Sequence, residues 1–263
     1  MPTLEARGVD IAWSERGEGS PVLLIHDTAA TGAVWDPLAE ALSRELRAIS
    51  YDRRGWGHSS EPDDYRRTTI EEQSEDAAVV IEEAAGDPAA VCGAGVGAVV
   101  ALDLLLRRPE LVSAAVLIEP TLLQLTPVAT EALSQDRHRI EIAAGSHENV
   151  IDVYLSGGLP ALGPGVERTP AETAAAARER PGSVIAELGI PAGWRMPLPR
   201  LASAERPSAV VTAESTPPLV RDAAEALSVR LAQCSVQQVD SPGAPPHIGA
   251  PAEIAAIVAE LSP

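Results

Sequence analysis

Lysine is absent from this sequence, and all 20 of its basic residues are arginine. That absence excludes a Schiff-base lysine, a pyridoxal-phosphate lysine and the lysine of a phosphate-binding loop. Cysteine is nearly absent as well. Cys92 and Cys234 show no paired or metal-ligand spacing, so neither a disulfide framework nor a zinc site is expected, and a reducing cytoplasm is the expected compartment. Positive charge is scarce, because 38 acidic residues against 20 basic ones leave a formal net charge of −18. Nucleic acid and anionic membrane surfaces would repel such a chain, so neither is expected as a partner. No uncharged stretch approaches the ~18 apolar residues that a membrane span needs. The opening MPTLEARGVDIAW lacks the basic start and apolar run of a signal peptide, which makes a soluble protein retained in the cell the expectation.

What is present is a regular alternation. Leu4–Arg7 and Val9–Trp13 read as an opening antiparallel hairpin, and Val22–Ile25 reads as a strand buried on both faces. Strands are then expected at LRAISYD, AAVC, Ser113–Ile118, SAVVTAES and SVQQVD. Amphipathic helices are expected at Trp35–Arg44, Glu71–Ala85, Val96–Arg107, Leu219–Leu231 and Ala252–Leu261. Strands separated by helices of about 10–15 residues imply the α/β class, with a mostly parallel sheet and right-handed crossovers. Residues 122–206 break the rhythm. Helices at Pro127–Ala143, Glu148–Tyr154 and near Pro170–Arg180, the loop SGGLPALGPG and the Pro-interrupted GIPAGWRMPLPR read as a helical cap inserted into a core of residues 1–121 and 207–263.

Four stretches occur in a telling order: LLIHDTAATGAVWDPL, YDRRGWGHS, CGAGVGAVVALDLLLRRPE and GAPPHIGAPAEIAAIVAEL. Together they resemble the α/β-hydrolase superfamily, especially its capped esterase and epoxide-hydrolase-like members. The resemblance covers essentially the whole chain and implies an eight-stranded, mostly parallel sheet flanked by helices. In that family the third stretch is the nucleophile elbow, a strand-to-helix turn whose small outer residues let its central residue sit at positive φ. Gly93, Ala94, Gly95, Val96 and Gly97 satisfy the steric requirement. The chemical requirement fails, because Gly95 stands at the nucleophile's position and carries no side chain to form an ester or acyl intermediate.

The resemblance places His247 at the family's catalytic histidine, after the last strand and before the last helix. The family's acid position falls at Thr216. Glu119, at the end of the strand AAVLI and followed by Pro120, is the favoured substitute, and Glu214 is the other carboxylate nearby. The oxyanion loop, usually His-Gly-x, here reads His26-Asp27-Thr28. Asp27 is expected to tolerate positive φ and to oppose an oxyanion, or else to be a solvated loop residue or a cap for the Thr31–Trp35 turn. The backbone N–H groups of Thr28 and Val96 would polarise a substrate oxygen. Asp52, Arg54, Gly55, Gly57 and Ser59 match a family turn read as structural. Trp35, Trp56 and Trp194 would line a pocket or pack at the cap hinge. Cys92 is expected to be an inert core thiol.

Three functional readings follow. In the first, a cofactor-independent and metal-free enzyme uses His247 as general acid/base on a small organic molecule, oriented by Glu119 or assisted by Asp27, with Gly95, Val96, Thr28, Trp35 and Trp194 forming the binding site. In the second, the site is a ligand-binding or sensing pocket without catalysis. In the third, a hydrolase acts through a relocated or altered nucleophile.

Overall fold

The computed structural model describes residues 1–157, 159, 161 and 170–262. Among these, eight strands form one sheet: β1 (Thr3–Ala6), β2 (Val9–Arg16), β3 (Pro21–Ile25), β4 (Arg47–Tyr51), β5 (Ala89–Ala94), β6 (Val112–Ile118), β7 (Ser208–Ala213) and β8 (Cys234–Val239). Their order across the sheet is β1-β2-β4-β3-β5-β6-β7-β8. The β1–β2 and β2–β4 pairs are antiparallel. Every other neighbouring pair is parallel. This is the mostly parallel α/β sheet of eight strands that the resemblance implies.

The period of two in the strands sorts their side chains into two apolar layers. In β3, Val22 and Leu24 join one layer while Leu23 and Ile25 join the other. The first layer, with Ala48, Ala90, Cys92, Val116 and Val211, is covered by α1 (Asp36–Leu42) and α12 (Pro251–Leu261). The second, with Ile49, Val91, Leu117 and Val210, is covered by α2 (Ile70–Val80), α3 (Val96–Arg107) and α10 (Pro218–Ser228). Burial on both sides explains why these central strands read as unbroken apolar runs rather than alternating ones.

The helix expected from Trp35 starts with a 3-10 turn, Gly32–Trp35, and becomes α-helical only where Pro37 supplies a first-turn residue that has no N–H to satisfy. Between β6 and β7 lie α4 (Ala129–Ala143), α5 (His147–Leu155), α6 (Ala171–Glu179), α7 (Pro181–Glu187), α8 (Ile190–Gly193) and α9 (Leu198–Leu201). The Ser146 hydroxyl caps α5 by accepting from the Asn149 N–H. The Pro-interrupted stretch becomes the short α8 and α9. Most of the Gly/Pro-rich loop expected at 156–165 lies outside the described residues. No helix among the described residues is long and apolar enough to cross a membrane.

Candidate functional site

The site forms where parallel strands end and their chain reverses into loops and helices. β5 passes into α3 through Gly95, whose φ of 55° and ψ of −118° are open to glycine at little cost. The flanking glycines are required by close approach. A Cβ on Gly93 would lie 2.2 Å from the Gly97 carbonyl oxygen, and one on Gly97 would lie 2.1 Å from that of Ile25. The strand-to-helix turn therefore has the tight geometry expected of it.

Gly95 itself faces a residue of the next loop. A Cβ there would fall 2.2 Å from Cγ and Oδ2 of Asp27 and 2.3 Å from its Oδ1. The Asp27 carboxylate thus occupies the volume that a side chain on residue 95 would fill. Its Oδ1 accepts hydrogen bonds from the backbone N–H groups of Thr28 and Val96, both at 2.8 Å. These are the two amides expected to polarise a substrate oxygen, and the structure shows both donating to Asp27 instead. Burial pushes the Asp27 carboxyl up to about 6, and the two amide bonds and the Arg53 cation offset only part of that rise. Asp27 does not use positive φ, contrary to expectation. The left-handed residue in this loop is Ala29, at φ 57°.

The loop is held from behind by a buried polar network. The Arg53 N–H donates to His26 Nε2 at 2.9 Å, and His26 Nδ1 is 2.7 Å from the Asp27 carbonyl oxygen. Nε2 therefore accepts and Nδ1 carries the proton, and burial, with Arg53 next, holds this imidazole well below its ordinary value. The Arg53 guanidinium pairs with Glu187 through Nη1–Oε1 at 2.8 Å and Nη2–Oε2 at 2.9 Å. Glu187 also accepts from Thr28 Oγ1 (2.6 Å), Trp56 Nε1 (2.9 Å) and Gln73 Nε2 (3.1 Å). Glu187 ends α7, so the network ties the helices between β6 and β7 to the Asp27 loop. Nothing in the sequence pattern of AELGIP singles out this glutamate; its role exists only once α7 packs over the strand ends.

Asp27 lines two adjoining lobes, which share Thr28, Thr121, Pro217 and Val220. The larger, about 180 Å³, is bounded by Thr28, Val96, Leu123, Leu133, Tyr154, Leu159, Glu187 and Leu188, among others. The smaller, about 100 Å³, is bounded by Gly95, Glu119, His247, Thr28 and Pro217, among others. His247 is buried and its ring lies against Trp35, with centroids 4.9 Å apart and planes at 45°. Glu119 sits at φ 46°, an unusual conformation for a non-glycine residue, and its Oε1 accepts from the Thr216 hydroxyl at 2.5 Å. Thr216 Oγ1 in turn accepts from the Ala213 N–H at 2.7 Å. Glu119 therefore lies beside Thr216, whereas Glu214 is exposed.

Of the two roles expected for the tryptophans, the structure favours packing over lining a pocket. Trp35 packs against His247, Trp56 donates to Glu187, and Trp194 donates to Asp103 of α3 at 2.8 Å; neither Trp35 nor Trp194 lines either lobe. Buried carboxylates supply the acceptors for the indole N–H groups of Trp56 and Trp194, whereas the Trp35 N–H has no hydrogen-bond partner among the described residues. The turn after β4 is structural as read. Asp52 accepts from the N–H groups of Gly32 and His58, and Arg54 is bidentate to Asp76 at 2.6 and 2.7 Å. Cys92 is fully buried, and burial raises its thiol far above its ordinary value. No group of three or more potential metal ligands occurs among the described residues.

An eight-stranded sheet with a tight strand-to-helix turn, and a buried histidine and carboxylates at its strand ends, defines an α/β-hydrolase-type architecture. The alpha/beta hydrolase family model matches residues 22–257, and the chain belongs to that family. It is 34% identical over 123 residues to the "uncharacterized hydrolase YraK" of Bacillus subtilis strain 168, a match covering 47% of this chain and 45% of that protein. The match thus spans less than half the length of the curated relatives. Among solved structures, the chain is similar to an alpha/beta hydrolase from Sphaerobacter thermophilus DSM 20745, with a TM-score of 0.74, 23% identity and 99% coverage of both chains. It is also similar to the enol-lactonase from Burkholderia xenovorans LB400, with a TM-score of 0.71, 18% identity and 99% coverage of both.

Proposed function

We propose that this chain is a small-molecule enzyme that works by proton transfer between Asp27, His247 and a substrate held beneath a helical cap, without a serine-type acyl intermediate. The observation that carries the reading is the Asp27 carboxylate, seated in front of Gly95 on the Thr28 and Val96 amides and opening on the same cavity as His247 and Glu119. A carboxyl near 6 exchanges protons readily at neutral pH, which is what general acid–base catalysis requires. Glu119, beside Thr216, supports a role in orienting His247 as the family's acid does. Residues 122–206 form the cap in this reading, and the solvent-exposed acidic surface suits a cytoplasmic protein.

The test has two parts. Wild-type protein is expected to give no labelling with a fluorophosphonate probe, and clear labelling would overturn the reading. In a screen of small esters, lactones and epoxides, any turnover found should fall by about 10²–10⁴ in both Asp27→Asn and His247→Gln. Turnover indifferent to both substitutions would equally defeat it.

The same placement favours one second reading, with Asp27 as a relocated nucleophile. Asp27 Oδ2 would attack an electrophilic carbon, the C–O bond would form as the leaving group departs with its electron pair, and a water deprotonated by His247 would hydrolyse the resulting ester. Intact-mass measurement of His247→Gln with styrene oxide separates the two readings, since only the second yields an adduct on Asp27.

A further inference from the structure

The larger lobe carries information about its ligand that does not depend on the reaction. Its wall is mainly apolar, from Leu123, Leu133, Leu159 and Leu188. At about 180 Å³ it is smaller than the roughly 300 Å³ at which drug-sized sites begin, so it suits a single ring or a short chain. No arginine lines either lobe among the described residues. The nearby Arg53 is 1% exposed and engaged at all three of its nitrogens: Nε donates to the His26 carbonyl at 2.9 Å, Nη1 to Gln73 and Glu187, and Nη2 to Glu187. Its charge is matched by Glu187, which leaves Asp27 as the net charge of the lobe.

Asp27 has one oxygen to offer. Oδ1 is occupied by the two backbone amides, while Oδ2 makes no hydrogen bond among the described residues. An anionic ligand would bring a second negative charge into a poorly solvated space without a counter-ion, whereas a donor group would complete the carboxylate's hydrogen bonding. A cation adds Coulombic attraction to that bond. From this we infer that the cavity takes a small, mainly apolar amine in its ammonium form, with an N–H donated to Asp27 Oδ2. The inference shares the cavity with the proposed reaction but needs no turnover, so it can stand if the protein proves to bind without catalysing.

Three molecules of matched shape test it by calorimetry on the full chain: benzylamine, benzyl alcohol and benzoate. Benzylamine should bind about tenfold or more tightly than benzyl alcohol at pH 8, and benzoate least. Asp27→Asn, which keeps an acceptor for the two amides, should remove the preference for the amine over the alcohol. A second measurement on wild type avoids any dependence on the variant's folding. Benzylamine affinity should fall as Asp27 protonates near pH 6, with Arg53, Glu187, Tyr154, His26, His247 and Glu119 the ionisable groups around it, while benzyl alcohol affinity stays level. Absence of benzylamine binding, binding of benzoate equal to that of the amine, or an amine preference unchanged in Asp27→Asn would each overturn the inference. Loss of the preference in a protein with no turnover would uphold it while defeating the enzymatic reading.

Discussion

Gly95 and Asp27 compete for one volume, and a double-mutant cycle measures the competition. In Gly95→Ser the new Cβ would sit 2.2–2.3 Å from three atoms of the Asp27 carboxylate, nearer than any real contact, so Asp27 must leave. Leaving strains the loop at a cost of about 1–3 kcal/mol, the range for overpacking a close-fitted site. The backbone of residue 95, at φ 55° and ψ −118°, adds about 1–3 kcal/mol for a side chain with a Cβ. The amides of Thr28 and Val96 also lose their acceptor, although relief of the buried charge offsets part of that loss. A total near 3 kcal/mol is expected in the wild-type background. In Asp27→Gly the space is vacant and only the backbone cost remains, so the penalty should shrink by about 1–3 kcal/mol, the strain of displacing Asp27. Urea denaturation of the four proteins yields the coupling directly. Equal penalties in the two backgrounds, within about 0.5 kcal/mol, would refute the claim that the two residues share one space. The double variant also has an open pair of amides, a serine at the turn and no carboxylate beside them, so it should react with a fluorophosphonate.

Two further outcomes follow from the same geometry. The Asp27 carboxyl moves from about 3.8 unfolded to about 6 folded, so the folded state holds its proton more tightly and the stability this confers at low pH is lost as pH rises through 6. Asp27→Asn should therefore stabilise the protein by up to about 3 kcal/mol at pH 8, with the gain vanishing towards pH 4, as read from thermal melts across pH; a gain that persists at pH 4 would contradict the assigned shift. Glu187→Gln leaves the buried Arg53 guanidinium uncompensated and should cost about 3–5 kcal/mol in urea denaturation, much of it recovered in Arg53→Met/Glu187→Leu.

The fold was legible because it rests on local periodicities. Apolar runs such as Val22–Ile25, the glycines around residue 95 and the strand–helix alternation each follow from the requirements of their own segment, and they carried the whole sheet. The position of Glu119 was legible for a similar reason, since it directly follows the strand Val112–Ile118. The roles of Trp35, Trp194 and Glu187 were not legible. A tryptophan before a helix reads the same whether it faces a cavity or stacks on His247, and Trp194 meets Asp103 only across 91 residues of chain.

The sequence by itself determined that residue 95 has no reacting group, because a missing side chain is a covalent fact that no folding can repair. It also determined that a carboxylate follows His26. Only the tertiary structure decided that these two departures are one. Residues 27 and 95 lie at the ends of neighbouring parallel strands, β3 and β5, whose register brings Ile25 opposite Gly93. That pairing sets a carboxylate from one loop into the space left by the other. A hydrogen-bonded register between distant segments is not written in either segment, and it is what turned an absence at Gly95 into a place for Asp27.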